Sequence, residues 1–219
     1  MLKRTVSGIS AGILIAIGGC VFLACENRYV GAVMFSVALL CICFKGYGLF
    51  TGKVGFMPEK YDKDAWEVLL AALLGNAVGT FACGYAVRYG IPNLGKAAEA
   101  LCAGKLETQS FPQTLLRAVL CGVLMYLAVS IYRDLKTPLG ILFCIPVFIL
   151  SGFEHSIADC FYFAASGIVS WKACGFLWTV ILGNTLGGIL LPMLAKIGKR
   201  EKPKTTEGPD ETGKEEKTE

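Results

Sequence analysis

Charge is scarce in this chain. Of its 219 residues, 17% are Asp, Glu, Lys or Arg, against about 25% in a typical soluble domain. Histidine is scarcer still, with a single copy. There is no CxxC pair and no Cys/His cluster, so the residue pattern offers neither a zinc site nor a dithiol centre. There is no glycine-rich phosphate loop. A catalyst needs a nucleophile, metal or cofactor beside its acid or base; the sequence offers none, so it does not read as an enzyme and no cofactor is expected. The net charge of +4 comes from lysines and arginines near the ends of apolar runs. That is no nucleic-acid signal, and no nucleic-acid partner is expected. The ten cysteines lie mostly inside apolar runs, as at Cys20, Cys41, Cys43, Cys121 and Cys144, where cysteine behaves as a small hydrophobe.

What the chain does have is apolar length. Hydrophobic residues make up 54%, arranged in long stretches between short charged clusters. The pattern predicts an all-α integral membrane protein with about six transmembrane helices. The first span is expected from about Val6 to Cys25. Lys3 and Arg4 before it also resemble the start of a signal peptide, the alternative at this point, but removing the segment would leave five spans. The second span starts near Tyr29 and is apolar to Phe44. It is then interrupted across Lys45-Gly46-Tyr47-Gly48 and Leu49-Phe50-Thr51-Gly52-Lys53, which suggests a broken helix. The third covers about Trp66 to Val87, and the fourth Phe111 to Tyr132. Arg88 to Ser110 between them reads as a mostly polar connection with a short helix near Lys96 to Cys102. The fifth starts near Pro138, breaks at Ser151-Gly152-Phe153-Glu154-His155-Ser156 and resumes to Ile168. The sixth runs from Trp171 to about Leu194. A membrane domain over residues 1–196 is therefore expected. A charged tail at 197–219, without an apolar face, is expected to be disordered.

The chain repeats itself. Leu74-Gly75-Asn76-Ala77-Val78-Gly79 in span three and Leu182-Gly183-Asn184-Thr185-Leu186-Gly187 in span six share L-G-N-x-x-G. Each copy ends a three-span unit, residues 1–90 and 108–196, whose middle span is broken. Units with an odd number of spans are inverted relative to each other, and inverted repeats with discontinuous helices are a transport architecture. Lysine and arginine are enriched in the loops that share a side with the termini, which predicts cytoplasmic termini in a multi-pass protein of the cell inner (plasma) membrane.

His155, beside Glu154, lies in an otherwise apolar segment. Ionisable groups at membrane depth are costly and usually face a cavity or the bundle interior. The functional reading is a pore-facing donor of a hydrogen bond or proton; the structural one is a histidine that ties helices together. Glu154 is expected to accept backbone N–H bonds where the helix restarts. The break at Leu49–Lys53 can present backbone N–H groups to an anion, though glycines alone could kink a helix there. Lys45 and Lys53 flank it. Lys53 can simply snorkel to the interface, whereas Lys45 lies deeper. Lys105 lies outside the spans, either as an ordinary solvated lysine or as a charge that draws anions to a pore mouth. Asn76 and Asn184 are expected to hydrogen-bond the broken helices or to join neighbouring ones.

Together these features resemble the formate/nitrite transporter family. Gly152-Phe153-Glu154-His155-Ser156-Ile157-Ala158-Asp159 is close to the family's G-F-E-H-S-[IV]-A-N run in its broken fifth helix. Leu49-Phe50-Thr51-Gly52 matches the L-F-T-G-N run of the second. Gly183-Asn184-Thr185-Leu186-Gly187-Gly188 resembles the G-N-x-x-G-G of the sixth, and Gly75-Asn76 its counterpart in the third. The resemblance covers about residues 1–195. It implies an aquaporin-like protomer in a homopentamer, with a pore through each protomer for small monovalent anions of weak acids such as formate, nitrite or hydrosulfide. It also implies that His155 is the central pore histidine, and that Leu49, Phe50 and Thr51 belong to the cytoplasmic constriction. Asn184 would match a helix-six asparagine near the histidine, and Lys105 falls close to a vestibule lysine.

The departures are specific. Lys53 and Asp159 each replace an asparagine of the two broken-helix motifs. Lys45 stands where the family has an apolar or small residue, and the stretch from Lys53 to Gly75 is short. The expected pathway thus comprises His155, Leu49, Phe50, Thr51, Asn184, Lys105 and Lys45, in a bilayer, with a small anion or weak acid as substrate. Two other readings are a non-conducting membrane scaffold or sensor and a membrane enzyme using Glu154 and His155.

Overall fold

A computed structural model describes residues 1–200. Their nine helices are α1 (Leu2–Ala24), α2 (Arg28–Lys45), α3 (Phe50–Lys53), α4 (Lys63–Gly90), α5 (Pro92–Thr108), α6 (Phe111–Leu135), α7 (Leu139–Leu150), α8 (Ser156–Ser166) and α9 (Trp171–Arg200), with a 3-10 turn at Val54–Phe56 after α3. Five helices are long and apolar enough to cross a membrane: α1, α2, α4, α6 and α9. At 12 and 11 residues, α7 and α8 are each too short to span about 30 Å of hydrocarbon. Placed in succession across the break at 151–155, they make the sixth crossing. α9 runs to Arg200; residues 201–219 of the expected tail lie outside the described residues.

Local chemistry sets the helix ends. Asn27 accepts the backbone N–H groups of Tyr29 and Val30 at the start of α2. Asp62 accepts that of Ala65 at the start of α4. Gln113 folds back onto the N–H of Ser110 at the start of α6. These bonds satisfy donors that the first helical turn leaves free.

The helices α2 and α7, each preceding a break, end alike. Gly46 and Gly152 both have φ of 68°, a conformation glycine adopts without penalty. In each case the next N–H reaches back to close the turn: Tyr47 to the Ile42 carbonyl and Phe153 to the Phe148 carbonyl. The chain is thereby turned out of the helix at equivalent points of the two repeats.

Each repeat is closed by a tight crossing of its outer helices, α1 on α4 and α6 on α9. Small residues permit the approach. A methyl group added at Gly79 would collide with the Ile9 carbonyl, and one at Gly187 with the Val119 carbonyl. This is the close packing on which helix association in lipid relies. α8 sits at the centre, and all eleven of its residues are buried. Large apolar side chains such as Val37, Leu74, Val78, Phe143 and Leu182 are exposed on the outside, a surface suited to lipid or to neighbouring subunits rather than water.

One element departs from expectation. The connection at 88–110 is mostly a 17-residue helix, α5. Pro92 suits the first turn, where its missing N–H has no partner to lose. Leu94, Ala98 and Cys102 recur at helical spacing and are buried, seating α5 against α8.

Candidate functional site

The site is built on the two breaks. Asn76, buried in α4, accepts the N–H of Phe50 at 2.8 Å and donates to the carbonyls of Gly48 and Gly8. Asn184, buried in α9, accepts the N–H of Ser156 at 2.8 Å and donates to the carbonyls of Glu154 and Ala118. The two amides do the same task in the two repeats. Each satisfies the backbone on both sides of a break that no water could serve in a dry membrane interior. The first N–H of each restarting half-helix is therefore already engaged, and Phe50 does not offer its own to a ligand.

His155 immediately precedes α8. Its Nδ1 accepts the N–H of Ala158 at 3.1 Å, and its Nε2 lies 2.8 Å from the Thr51 hydroxyl. An Nδ1 that accepts carries no proton, so the neutral ring holds its proton on Nε2 and donates to Thr51. The helix cap thus fixes the tautomer. Glu154, expected to take the capping role, does not fill it. Its carboxylate turns outward to Lys105 and to the side-chain amide of Gln109. The histidine has displaced the neighbouring acid because its side chain, one residue closer to the helix, reaches the third N–H of the turn.

Two cavities approach this point from opposite sides. The first, about 180 Å³, is lined by Phe35, Lys105, Phe148, Glu154, His155 and Asp159 among others. The second, about 260 Å³, is lined by Leu39, Leu49, Gly52, Lys53, Arg133 and Lys136 among others. Phe35 and Leu39 are one turn apart on α2, so about 6 Å of helix separates the linings. His155 stands on one side of this barrier and Leu49 on the other, with Thr51 bonded to the histidine. Phe148 stacks on the His155 ring with centroids 5.7 Å apart and meets Phe35 edge-on. The barrier is apolar except for the His155–Thr51 pair.

Lys105 is not a solvated loop lysine. Its ammonium is bound by Glu154 and lies 2.5 Å from Asp159. It also lies 5.6 Å from the centre of the Tyr162 ring. Burial alone would push the Lys105 ammonium down, but Asp159 and Glu154 outweigh that and hold it above the ordinary lysine value.

Of the remaining expected residues, Phe50 and Asn184 are buried and line neither cavity; both act on the backbone of the breaks. Lys45 also lines neither. It ends α2 on the exposed surface, while Lys53 faces the second cavity. The glycine turn at Gly46 explains the exchange, because it directs the chain inward just after Lys45. Phe35, Phe148, Arg28 and Arg117 are additions. Arg28 donates to the carbonyls of Ile149 and Leu150, and Arg117 to that of Gly152, satisfying acceptors at the end of α7. Arg117 did carry a signal in the sequence, as a charge within an apolar span.

A sequence model of the formate/nitrite transporter family matches residues 1–197. The chain belongs to the formate/nitrite transporter family. It is a multi-pass membrane channel or transporter of that family, with its aquaporin-like protomer fold, and not an enzyme. Among family relatives, it is 27% identical to the nitrite transporter NirC of Salmonella typhimurium, over 84% of this chain and 75% of that one. It is 25% identical to the formate-nitrite transporter of Plasmodium ovale, over 87% of this chain and 73% of that one. In structure it resembles a pentameric formate channel with formate bound, at a TM-score of 0.72 and 22% identity, covering 91% of this chain and 98% of that one. An ion channel of the family gives a TM-score of 0.71 at 23% identity, covering 90% and 88%.

Proposed function

We propose that this protein passes small monovalent anions of weak acids, of the formate and nitrite type, through a pore in each protomer of a homopentamer. The fold shared with a pentameric formate channel and the relationship to a nitrite transporter support the substrate class and the assembly. The excess of lysine and arginine on the side of the N-terminus supports cytoplasmic termini in the plasma membrane. The observation that carries the reading is the Nε2 of His155, which meets Thr51 between the two cavities. Membrane domain and tail divide near residue 197.

The mechanism follows from the geometry. An anion entering the apolar barrier loses hydration, and a bare charge there is heavily penalised. The Nε2–H of His155 can leave the Thr51 hydroxyl and bond to the substrate, replacing one hydration contact. Nδ1 remains committed to the α8 cap, so the ring gives this hydrogen bond without gaining a proton. Any proton that neutralises the substrate comes from vestibule water, because giving up Nε2–H from the neutral ring would leave an imidazolate. Lower pH raises the fraction of neutral acid, so flux rises as pH falls.

Flux into liposomes containing the purified protein tests this reading. Formate and nitrite are expected to enter faster as pH is lowered from about 8 to about 5, roughly a thousandfold in proton concentration, while chloride, the anion of a strong acid, stays at the protein-free rate. Chloride entry at the formate rate, or no weak-acid entry through folded protein, would contradict it.

A further inference from the structure

The two broken crossings carry opposite charges at matching places. The Asn76 and Asn184 networks align Gly48 with Glu154 and Phe50 with Ser156. Three residues on from Phe50 and Ser156, Lys53 is therefore aligned with Asp159. Asp159 is buried and pairs with Lys105, which Glu154 also binds. On the α5 side, the cavity's lysine is thus held between two carboxylates.

Arg28 and Arg117 also line the first cavity, each tied to carbonyls at the end of α7, and the second cavity differs in holding cations alone. Among the described residues, Lys53, Arg133 and Lys136 line it and no carboxylate does. Arg133 is paired with Glu59 and Asp134. Among the described residues, no carboxylate lies within ion-pair distance of Lys53 or Lys136. Lys53 is half-buried, which weakens the hydration of its ammonium and strengthens its pull on an anion. The cavity of about 260 Å³ has room for a three-atom anion and several waters at about 30 Å³ each.

We infer that Lys53 holds a small monovalent anion in the second cavity, and that the Lys53/Asp159 pair makes the pathway electrically polar, gathering anions more strongly on the N-terminal side than on the α5 side. Lys53 is the binding residue. Asp159 is a positioning residue that acts by neutralising Lys105. The inference rests on the reading that the two cavities are the ends of one conduction path.

Membrane vesicles of the two opposite orientations give the test, with the initial rate of formate entry measured against concentration from each side. The wild type is expected to half-saturate at lower formate from the N-terminal side. Lys53→Asn should raise that value about tenfold, the lower end of what a like-charged cleft contributes, and change the value from the other side by less than about twofold. Lys53→Arg should restore it. Asp159→Asn, which leaves Lys105 with one carboxylate, should lower the half-saturating concentration from the α5 side. If Lys53→Asn does not assemble, Lys53→Gln removes the same charge. An unchanged value from the N-terminal side in a folded Lys53 variant, with His155→Asn still lowering flux, would overturn this inference and leave the pathway reading standing. Absence of weak-acid entry through the wild type would remove the pathway reading and this inference with it.

Discussion

Replacing His155 with asparagine is expected to lower formate flux about ten- to a hundredfold, the value of one hydrogen bond to a charged group, without unfolding the protein. The side chain has two separable tasks. Nδ1 caps α8 through the Ala158 N–H, and Nε2 meets Thr51 at the barrier. An asparagine oxygen can take over the cap, since asparagine is a preferred N-cap residue, but its short amide does not reach the place of Nε2. His155→Ala removes both. Its flux should fall at least as far, and the thermal midpoint should fall too, because a buried N–H loses its acceptor. Flux in the asparagine variant is measured in liposomes beside a melting curve in detergent. Unchanged flux in His155→Asn would show that the ring is only a cap.

Asn184→Ala should be the most damaging single change to the fold. It strands the Ser156 N–H and leaves the carbonyls of Glu154 and Ala118 without that donor. Buried polar groups left unpaired cost about 1–3 kcal/mol each, and no water is at hand in the membrane interior to relieve them. A loss of about 3–5 kcal/mol is expected, at the top of the range for point substitutions. The readout is the thermal midpoint and the yield of assembled protein in detergent. Asn76→Ala should behave alike, since Asn76 makes the matching bonds in the other repeat. A variant with wild-type thermal stability would refute the role given to these amides.

Much of this was legible in the sequence because membrane burial writes strong patterns. The apolar runs located the spans, and glycines with charges inside them marked both breaks. L-G-N-x-x-G marks the repeat in the sequence, and its two asparagines are the amides that hold the breaks. What sequence spacing misjudged depended on which way a side chain turns. Glu154 and His155 are adjacent, and only the backbone geometry at 151–155 decides which caps α8 and which meets Lys105. Lys45 lies deeper in the apolar run than Lys53, but the turn at Gly46 reverses their access to the second cavity. The full length of α5 is hard to see in the sequence because its polar residues hide a narrow buried stripe of Leu94, Ala98 and Cys102. Phe35 and Phe148 gave no signal at all, since a phenylalanine in an apolar span looks the same whether it faces lipid or a pore.

The account turns on one proton. His155 is the only histidine in the chain, so protein labelled with 15N-histidine and reconstituted in lipid gives the nitrogen resonances of this ring alone. The account predicts a neutral ring with Nδ1 bare and accepting and Nε2 protonated, at the pH where weak-acid flux is readily measured. A proton on Nδ1 under those conditions, whether in the other neutral tautomer or in the imidazolium, would mean that the α8 cap is broken and that the proposed hydrogen-bond donation is wrong.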